Sequence, residues 1–264
     1  MNNALHLDQT ALFLDLDGTL VPLAARPDQV FLPPSTAGLL LNLHAACDGA
    51  VALVSGRDHD SLHIACTKLP LAMISSHGAA MYDAEGQECW NIPINPAEHH
   101  SLSRSVAALI HPYSLVWMER KSHGVAVHFR QRPEVGEALA TELHVLCSEY
   151  PGFDLIRGHC VIELRMSGFD KGQALARAQR LPAFADRKPV MIGDDLTDEA
   201  AFEFVNQKGG LSIRIGPQEP ASAAQLSLPH PSDLLTLLQT SLLETRFFSE
   251  LAQRTPSGAK TVAP

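Results

Sequence analysis

Residues 11–19 read ALFLDLDGT, a four-residue apolar run followed by the motif Asp-Leu-Asp-Gly-Thr. An apolar run without alternation is typical of a strand that is buried on both faces of a parallel sheet. Asp15 and Asp17 are two apart in extended chain, so their side chains point the same way, and Gly18 lets the backbone turn after them. Two acids held together cost free energy unless a cation or a proton offsets them. The stretch therefore predicts a buried strand that ends in a Mg²⁺ site.

The rest of the chain repeats this pattern of apolar strands and helices. Apolar runs at 50–54 and 72–75 alternate with helical stretches at 35–46 and 58–68. The alternation resumes after residue 171, with helices at 171–179, 198–205 and 233–250 and strands at 189–192 and 211–215. This order predicts an α/β fold with a doubly wound, Rossmann-like parallel sheet, which binds ligands where its strands end.

Between these two parts the pattern changes to helix–strand–strand, twice. Strands that alternate apolar and polar residues are predicted at 114–122 and 124–131, joined as a hairpin, and the order αββαββ predicts an antiparallel sheet with helices on one face. We interpret this part as an inserted α+β domain. The predicted boundaries are 1–90 and 167–252 for the core, 91–166 for the insertion, and 253–264 for a disordered tail.

Composition excludes several classes of protein. The chain has 20 lysines and arginines against 29 aspartates and glutamates, a net charge of −9, which argues against a nucleic-acid partner. No stretch reaches the roughly 18 apolar residues that span a bilayer, and the N-terminus lacks a basic signal-peptide region. Five scattered cysteines favour free thiols over a disulfide framework or a zinc site. We expect a cytoplasmic monomer without a membrane partner.

Other strand and helix ends carry the groups that phosphoryl transfer needs. Ser55, together with the Gly56 amide, can hold phosphate oxygens beside a helix N-terminus, and Lys171 can place a positive charge on the same group. Residues 193–199, GDDLTDE, add carboxylates that can complete a metal site. Each signal is common when it occurs alone, and turn or helix-capping aspartates would explain a single Asp-Gly. The ordered set predicts a Mg²⁺-dependent phosphoryl-transfer site.

In order and spacing, the motifs DxDGT, SGR, KG and GDDxxD resemble those of the haloacid dehalogenase superfamily of phosphatases, and the insertion resembles that superfamily's cap domain. The resemblance implies that Asp15 is a nucleophile that forms an aspartyl-phosphate and that Asp17 is the general acid and base. The remaining implied roles are phosphate binding by Ser55, Gly56 and Lys171, metal coordination by Asp15, the Asp17 backbone carbonyl and Asp194, and support of these groups by Asp195 and Asp198.

The inserted region is similar to that of trehalose-6-phosphate phosphatases. The similarity lies in Glu-Arg-Lys at 119–121, His-Phe-Arg at 128–130 and VIELR at 161–165, and in the Ser-His-Gly-Ala of the core at 76–79. It implies that Glu119, Lys121 and Glu163 bind sugar hydroxyls, since charged groups form strong, directional hydrogen bonds. Phe129 departs from the family, where a tyrosine is common. The function implied is hydrolysis of trehalose 6-phosphate through an aspartyl-phosphate.

Several alternatives stay open at this point. His77 contacts the sugar or bonds to the backbone, Arg57 steers phosphate or pairs with an acid, and Glu119 and Lys121 could lie on a solvated face. The substrate could instead be sucrose phosphate, a glycosyl-glycerate phosphate or a hexose phosphate, and a phosphosugar mutase has related motifs. A non-catalytic sugar-phosphate-binding module is the alternative of another class.

Overall fold

The computed structural model describes residues 5–24, 26–158, 160–216 and 221–247. Its β-strands are β1 (Leu5–His6), β2 (Thr10–Leu14), β3 (Val51–Val54), β4 (Ala72–Ser75), β5 (Ala80–Tyr82), β6 (Glu88–Asn91), β7 (Trp117–Lys121), β8 (Gly124–His128), β9 (Phe153–Gly158), β10 (Val161–Met166), β11 (Lys188–Gly193), β12 (Leu211–Ile215), β13 (Leu226–Leu228) and β14 (Arg246–Phe247). Its α-helices are α1 (Pro34–Ala46), α2 (His59–Ala65), α3 (Pro96–Ile110), α4 (Gly136–Cys147), α5 (Lys171–Ala178), α6 (Glu199–Gln207) and α7 (Pro231–Glu244). None of the helices in these ranges has the length and apolar character needed to cross a bilayer.

The larger sheet, called the core sheet below, has eight strands in the order β13-β12-β11-β2-β3-β4-β5-β6. The six strands from β13 to β4 are parallel to their neighbours, as the unbroken apolar runs predicted. Every residue of β2 is buried between β3 and β11, with Leu12 opposite Val51 and Val190. The strand that carries the Asp-Leu-Asp-Gly-Thr motif therefore lies inside the sheet, and the predicted α/β fold is confirmed.

The prediction missed five short strands, β1, β5, β6, β13 and β14, and it placed the end of the last helix wrongly. β5 and β6 pair antiparallel at the edge of the core sheet; they have three and four residues, too few to show a periodicity. The helix predicted at 233–250 ends at Glu244, because Thr245 adopts a left-handed φ of 55° and the chain then continues as β14. The predicted disordered tail, 253–264, lies outside the described residues.

The smaller sheet has the antiparallel order β7-β8-β10-β9. The element order αββαββ is the predicted one. α3 and α4 pack against each other and against this sheet, and a separate hydrophobic cluster forms there around Leu102, Leu143 and Leu164. A second cluster around Phe13 fills the core. The domain boundaries stay a prediction; β6 ends at Asn91 and β10 ends at Met166.

We expect the hydrophobic cluster of the smaller sheet to contribute stability of its own. Replacing the fully buried Leu143 by alanine should lower the free energy of unfolding by about 2–5 kcal/mol, because the lost contacts leave a cavity. Val145 lies on the same helix but is 62% exposed, so Val145→Ala should change the free energy by less than about 0.5 kcal/mol. Urea unfolding of both variants measures the difference, and equal effects would contradict the packing described here.

Candidate active site

One cavity of about 570 Å³ lies between the core sheet and the smaller sheet. The carboxyl ends of β2, β3 and β11 open into it, since the residues that follow these strands line its wall. The structure brings together every site residue named from the sequence: Asp15, Asp17, Ser55, Gly56, Arg57, His77, Glu119, Lys121, Glu163, Lys171, Asp194, Asp195 and Asp198 all line this cavity.

A buried cluster of three carboxylates and one lysine forms the floor of the cavity. Asp15 follows β2, Asp194 follows β11, and Asp198 lies one turn further; oxygens of the three carboxylates lie within 4.8 Å of one another. Lys171, the first residue of α5, donates from Nζ to Asp15 Oδ1 at 2.8 Å and to Asp198 Oδ1 at 2.6 Å. Its side chain is 2% exposed, so these carboxylates, and not water, form the hydrogen bonds of its ammonium group.

The cluster has more negative charge than Lys171 can offset. Burial raises the pKa of Asp15, and the neighbouring Asp198 and Asp194 add to that rise while Lys171 opposes it. Burial and the charge of Asp198 raise the pKa of Asp194 to about 7. Protons or a further cation must therefore offset the cluster.

Asp194 is held in place through both its side chain and its backbone. Thr19 donates from Oγ1 to Asp194 Oδ1 at 3.2 Å, and Asp198 Oδ2 accepts from the backbone amides of Asp194 and Asp195, each at 3.1 Å. Gly18 has a φ of +86°, and a Cβ on it would lie 2.0 Å from Asp194 Oδ2. The glycine of the first motif is therefore required both for its conformation and for space.

Asp17 lies outside this cluster and forms a bidentate ion pair with Arg57. Arg57 donates from Nε to Asp17 Oδ2 at 2.6 Å and from Nη2 to Asp17 Oδ1 at 2.7 Å. The Arg57 side chain is 9% exposed, and that of Asp17 is 28% exposed. Of the two alternatives for Arg57, the structure shows pairing with an acid. Each oxygen of Asp17 thus accepts one hydrogen bond from Arg57.

The turn after β3 brings the backbone of the core close to a histidine ring. Ser55 is buried, and its Oγ accepts from the Arg57 amide at 3.2 Å. A Cβ on Gly56 would lie 2.4 Å from the ring of His77, so only glycine allows this approach. His77 itself has a left-handed φ of 56°, and its ring reaches Glu163 of the smaller sheet.

The smaller sheet places an ion pair directly over this turn. Lys121 donates from Nζ to Glu163 Oε1 at 2.5 Å and to the carbonyl oxygen of Gly56 at 3.2 Å. His77 Nε2 lies 2.9 Å from Glu163 Oε2. Although burial opposes it, Lys121 and His77 lower the pKa of Glu163 well below its usual range. Glu163 is therefore an ionised carboxylate whose two oxygens have partners from both sheets.

Trp117, His128 and Arg26 also line the cavity, although the sequence predicted no role in the site for them. Glu119 Oε2 lies 2.9 Å from His128 Nε2, the His128 ring stacks on Trp117 with centroids 4.0 Å apart, and the Arg26 guanidinium lies 5.2 Å from the Trp117 ring centre. Alternation along β7 could have identified Trp117, which shares a face with Glu119 and Lys121. Arg26 lies in a proline-rich loop without periodicity, so the sequence gives no signal for it.

Phe129, the residue that departs from the family pattern, does not line the cavity. It is buried in the hydrophobic cluster of the smaller sheet, where its ring packs over Gly136. The change from tyrosine to Phe129 therefore removes a hydroxyl from the hydrophobic cluster and removes no polar group from the cavity wall.

The sequence of this chain is similar to those of known trehalose phosphatases. A sequence model of the trehalose-phosphatase family matches residues 13–232. The chain is 38% identical over 224 residues to a probable trehalose-phosphate phosphatase of Sinorhizobium fredii, with 84% of each chain covered. It is 34% identical over 237 residues to trehalose-6-phosphate phosphatase of Escherichia coli, with 89% of each covered.

The C-terminal domain of Candida albicans trehalose-6-phosphate phosphatase shares the fold, with a TM-score of 0.78 and 21% identity over 89% of this chain and 92% of that one. The parallel core with an inserted antiparallel sheet is the arrangement that the resemblance to haloacid dehalogenase-type phosphatases implied. The match over most of the chain and the identity to two relatives show that the chain belongs to the trehalose-phosphatase family.

Proposed function

We propose that this chain is a phosphatase that converts trehalose 6-phosphate to trehalose and inorganic phosphate. The observation that carries the proposal is a single cavity in which a buried lysine–carboxylate cluster faces a wall of ion-paired polar side chains. The cluster suits a phosphoryl group, and the wall suits the hydroxyls of a sugar. Membership of the trehalose-phosphatase family supports the choice of sugar.

In the proposed reaction, a carboxylate oxygen of Asp15 attacks phosphorus and the bond from phosphorus to the sugar oxygen breaks. Asp17 donates a proton to the departing oxygen, so trehalose leaves as an alcohol while the phosphoryl group stays on Asp15. Asp17 then takes a proton from water, whose oxygen attacks phosphorus; the bond from phosphorus to Asp15 breaks, which releases inorganic phosphate and restores the Asp15 carboxylate. Lys171, 2.8 Å from Asp15, and Ser55 would stabilise the negative charge on the transferring group.

The proposed proton transfer competes with the ion pair between Arg57 and Asp17, because a proton on Asp17 weakens its attraction to Arg57. We propose that the substrate phosphate, a dianion, replaces Asp17 as the ion-pair partner of Arg57. Both groups line the cavity, so the exchange needs only side-chain rotation. Arg57 would then contribute to phosphate binding beside Ser55 and Gly56.

The carboxylate cluster fits a divalent cation. Its hard oxygen donors are those that Mg²⁺ prefers, and the raised pKa of Asp194 supports a site that binds one more positive charge. Both oxygens of Asp198 already accept hydrogen bonds from Lys171 and from backbone amides, so we assign it to holding Lys171 and Asp194. Asp15, Asp194 and the Asp17 carbonyl would bind Mg²⁺, which, when bound, supplies positive charge to the phosphoryl oxygens.

We propose that residues 91–166 act as a cap that closes over the substrate. Glu119, Lys121 and Glu163 would contact the sugar, with their free lone pairs and protons available to hydroxyls. One copy of the chain carries every group named here, so we propose that it works as a monomer. The five cysteines are all free thiols, which suits a reducing compartment such as the cytoplasm.

Phosphate release from a panel of sugar phosphates tests the proposed function. We expect turnover to be fastest with trehalose 6-phosphate, ahead of sucrose phosphate, a glycosyl-glycerate phosphate and hexose phosphates, and to be lost when the metal is chelated. Asp15→Asn should lower kcat by more than about a thousandfold while the protein stays folded, because it removes the nucleophile. Faster turnover of another sugar phosphate would overturn the assignment, and full activity of Asp15→Asn would overturn the mechanism.

The assignment of Glu163 to the sugar predicts a difference between two substrates. Glu163→Gln keeps the size of the side chain but removes its charge, so kcat/KM should fall about tenfold or more with trehalose 6-phosphate. The value for p-nitrophenyl phosphate, which has no sugar, should change by less than about twofold. Glu137 is 88% exposed on α4, and Glu137→Gln is the matched control. Equal losses on both substrates would remove Glu163 from sugar binding.

The raised pKa of Asp194 predicts how metal binding depends on pH. Between pH 4 and about pH 7 the folded, metal-free protein holds a proton on Asp194 that the unfolded chain has lost, so this group's contribution to stability falls as pH rises. Mg²⁺ must displace that proton, so its apparent affinity should rise with pH up to about 7. We expect Mg²⁺ to raise the Tm more at pH 8 than at pH 6. Asp194→Asn should abolish this difference, whereas Asp60→Asn, on the exposed side of α2, should keep it.

A further inference from the structure

The two ends of the cavity are carried by different sheets but meet at one short segment, residues 55–58, called the junction segment below. Ser55 and Gly56 lie at the proposed phosphate end. The carbonyl oxygen of Gly56 accepts from Lys121 of the smaller sheet at 3.2 Å. Asp58, two residues on, accepts from the backbone amide of Ser122 at 2.8 Å through Oδ2. The junction segment therefore lines the phosphate end through Ser55 and Gly56 and anchors the hairpin between β7 and β8 through Gly56 and Asp58.

Asp58 makes this contact instead of the one expected from its position. It directly precedes α2, where an aspartate ordinarily accepts hydrogen bonds from the first amides of its own helix. Here its side chain makes no such bond. Its Oδ1 accepts from Ser76 Oγ at 3.0 Å, and its Oδ2 is directed to Ser122 in the smaller sheet. Both oxygens thus tie α2 to neighbouring parts of the fold and leave the helix uncapped by this residue.

The backbone amide of Ser122 lies next to residues that we propose bind the sugar. Ser122 is the first residue of the two-residue turn after β7, and it directly follows Lys121. Glu119 lies two residues earlier on the same face of the strand. A hydrogen bond that fixes the turn therefore fixes how far Glu119 and Lys121 reach over the junction segment. Because the acceptor is a carboxylate, this bond is stronger than one between neutral groups.

We propose that Asp58 is a positioning residue that sets the distance between the phosphate end and the sugar end of the cavity by docking the β7–β8 hairpin on the junction segment. This inference rests on the proposed function, since it needs a substrate that occupies both ends. It makes the fit to a phosphorylated sugar depend on a residue that touches neither the phosphate nor the sugar. Turnover of a phosphate ester without a sugar should not depend on Asp58.

Two pairs of variants test the hydrogen bond from both sides. Asp58→Ala removes both contacts, whereas Asp58→Asn keeps one oxygen for the Ser122 amide. Ser122→Pro deletes the amide hydrogen, and Ser122→Ala retains it. Neither turn residue has a positive φ, so the sign of φ does not exclude proline at the first position of the turn. Asp60→Ala, exposed on the same helix, is the control for a lost charge. Circular dichroism and thermal unfolding identify any variant that fails to fold.

We expect Asp58→Ala and Ser122→Pro each to lower kcat/KM for trehalose 6-phosphate about tenfold, mainly through KM, as loss of one charge-assisted hydrogen bond predicts. With p-nitrophenyl phosphate the change should stay within about twofold. Asp58→Asn should recover most of the loss, and Ser122→Ala and Asp60→Ala should match the wild type. The double variant Asp58→Ala/Ser122→Pro should lose little more than either single variant, because both remove the same bond.

Equal losses on both substrates, or additive losses in the double variant, would overturn the proposal. Failure of the proposed function looks different: the wild type would then turn over p-nitrophenyl phosphate but not trehalose 6-phosphate. In that case kcat/KM for the sugar phosphate that the panel identifies is divided by kcat/KM for p-nitrophenyl phosphate. The variants should change this ratio in the same pattern of loss and recovery. An unchanged ratio with that substrate overturns the role of Asp58 independently.

Discussion

The buried ammonium of Lys171 is the interaction on which the rest of the site depends. It lies between Asp15, at the end of β2, and Asp198, after β11, and so it joins two neighbouring strands to the start of α5. An unpaired charge at this depth would be strongly destabilising, so neither the strands nor the helix can shift alone. Since α5 is the first helix after the smaller sheet, the same contact fixes where the chain re-enters the core.

A second buried ion pair applies the same constraint on the opposite wall. Glu163 is held by Lys121 from its own sheet and by His77 from the core, and Lys121 also reaches the Gly56 carbonyl. Each wall of the cavity is therefore tied to the other by charged groups with partners in place. The smaller sheet is thus located by specific polar contacts, and its hydrophobic cluster stays separate from that of the core.

The sequence predicted the elements whose signal is local and failed where the signal depends on distant partners. The apolar run before Asp15 is enough to predict a buried strand, and the change from unbroken to alternating runs predicted the inserted sheet. The ion pair of Arg57 with Asp17 joins residues 40 positions apart, and only the fold decides that this acid is the partner. The sequence places residue 58 at the start of a predicted helix, and only the packing of the hairpin shows that Asp58 binds Ser122.

The two ends of the cavity would respond to a phosphorylated sugar in different ways. A phosphate dianion carries enough charge to compete for Arg57 and Lys171, so the ion pairs at that end can exchange partners. Sugar hydroxyls are neutral and cannot displace Glu163 from Lys121; they can only add hydrogen bonds to the lone pairs and protons that remain. In the proposed reaction the sugar end would be preformed, while the phosphate end would rearrange. Selectivity for the sugar would then come from a fixed arrangement of hydroxyl partners, held at a set distance from groups that move.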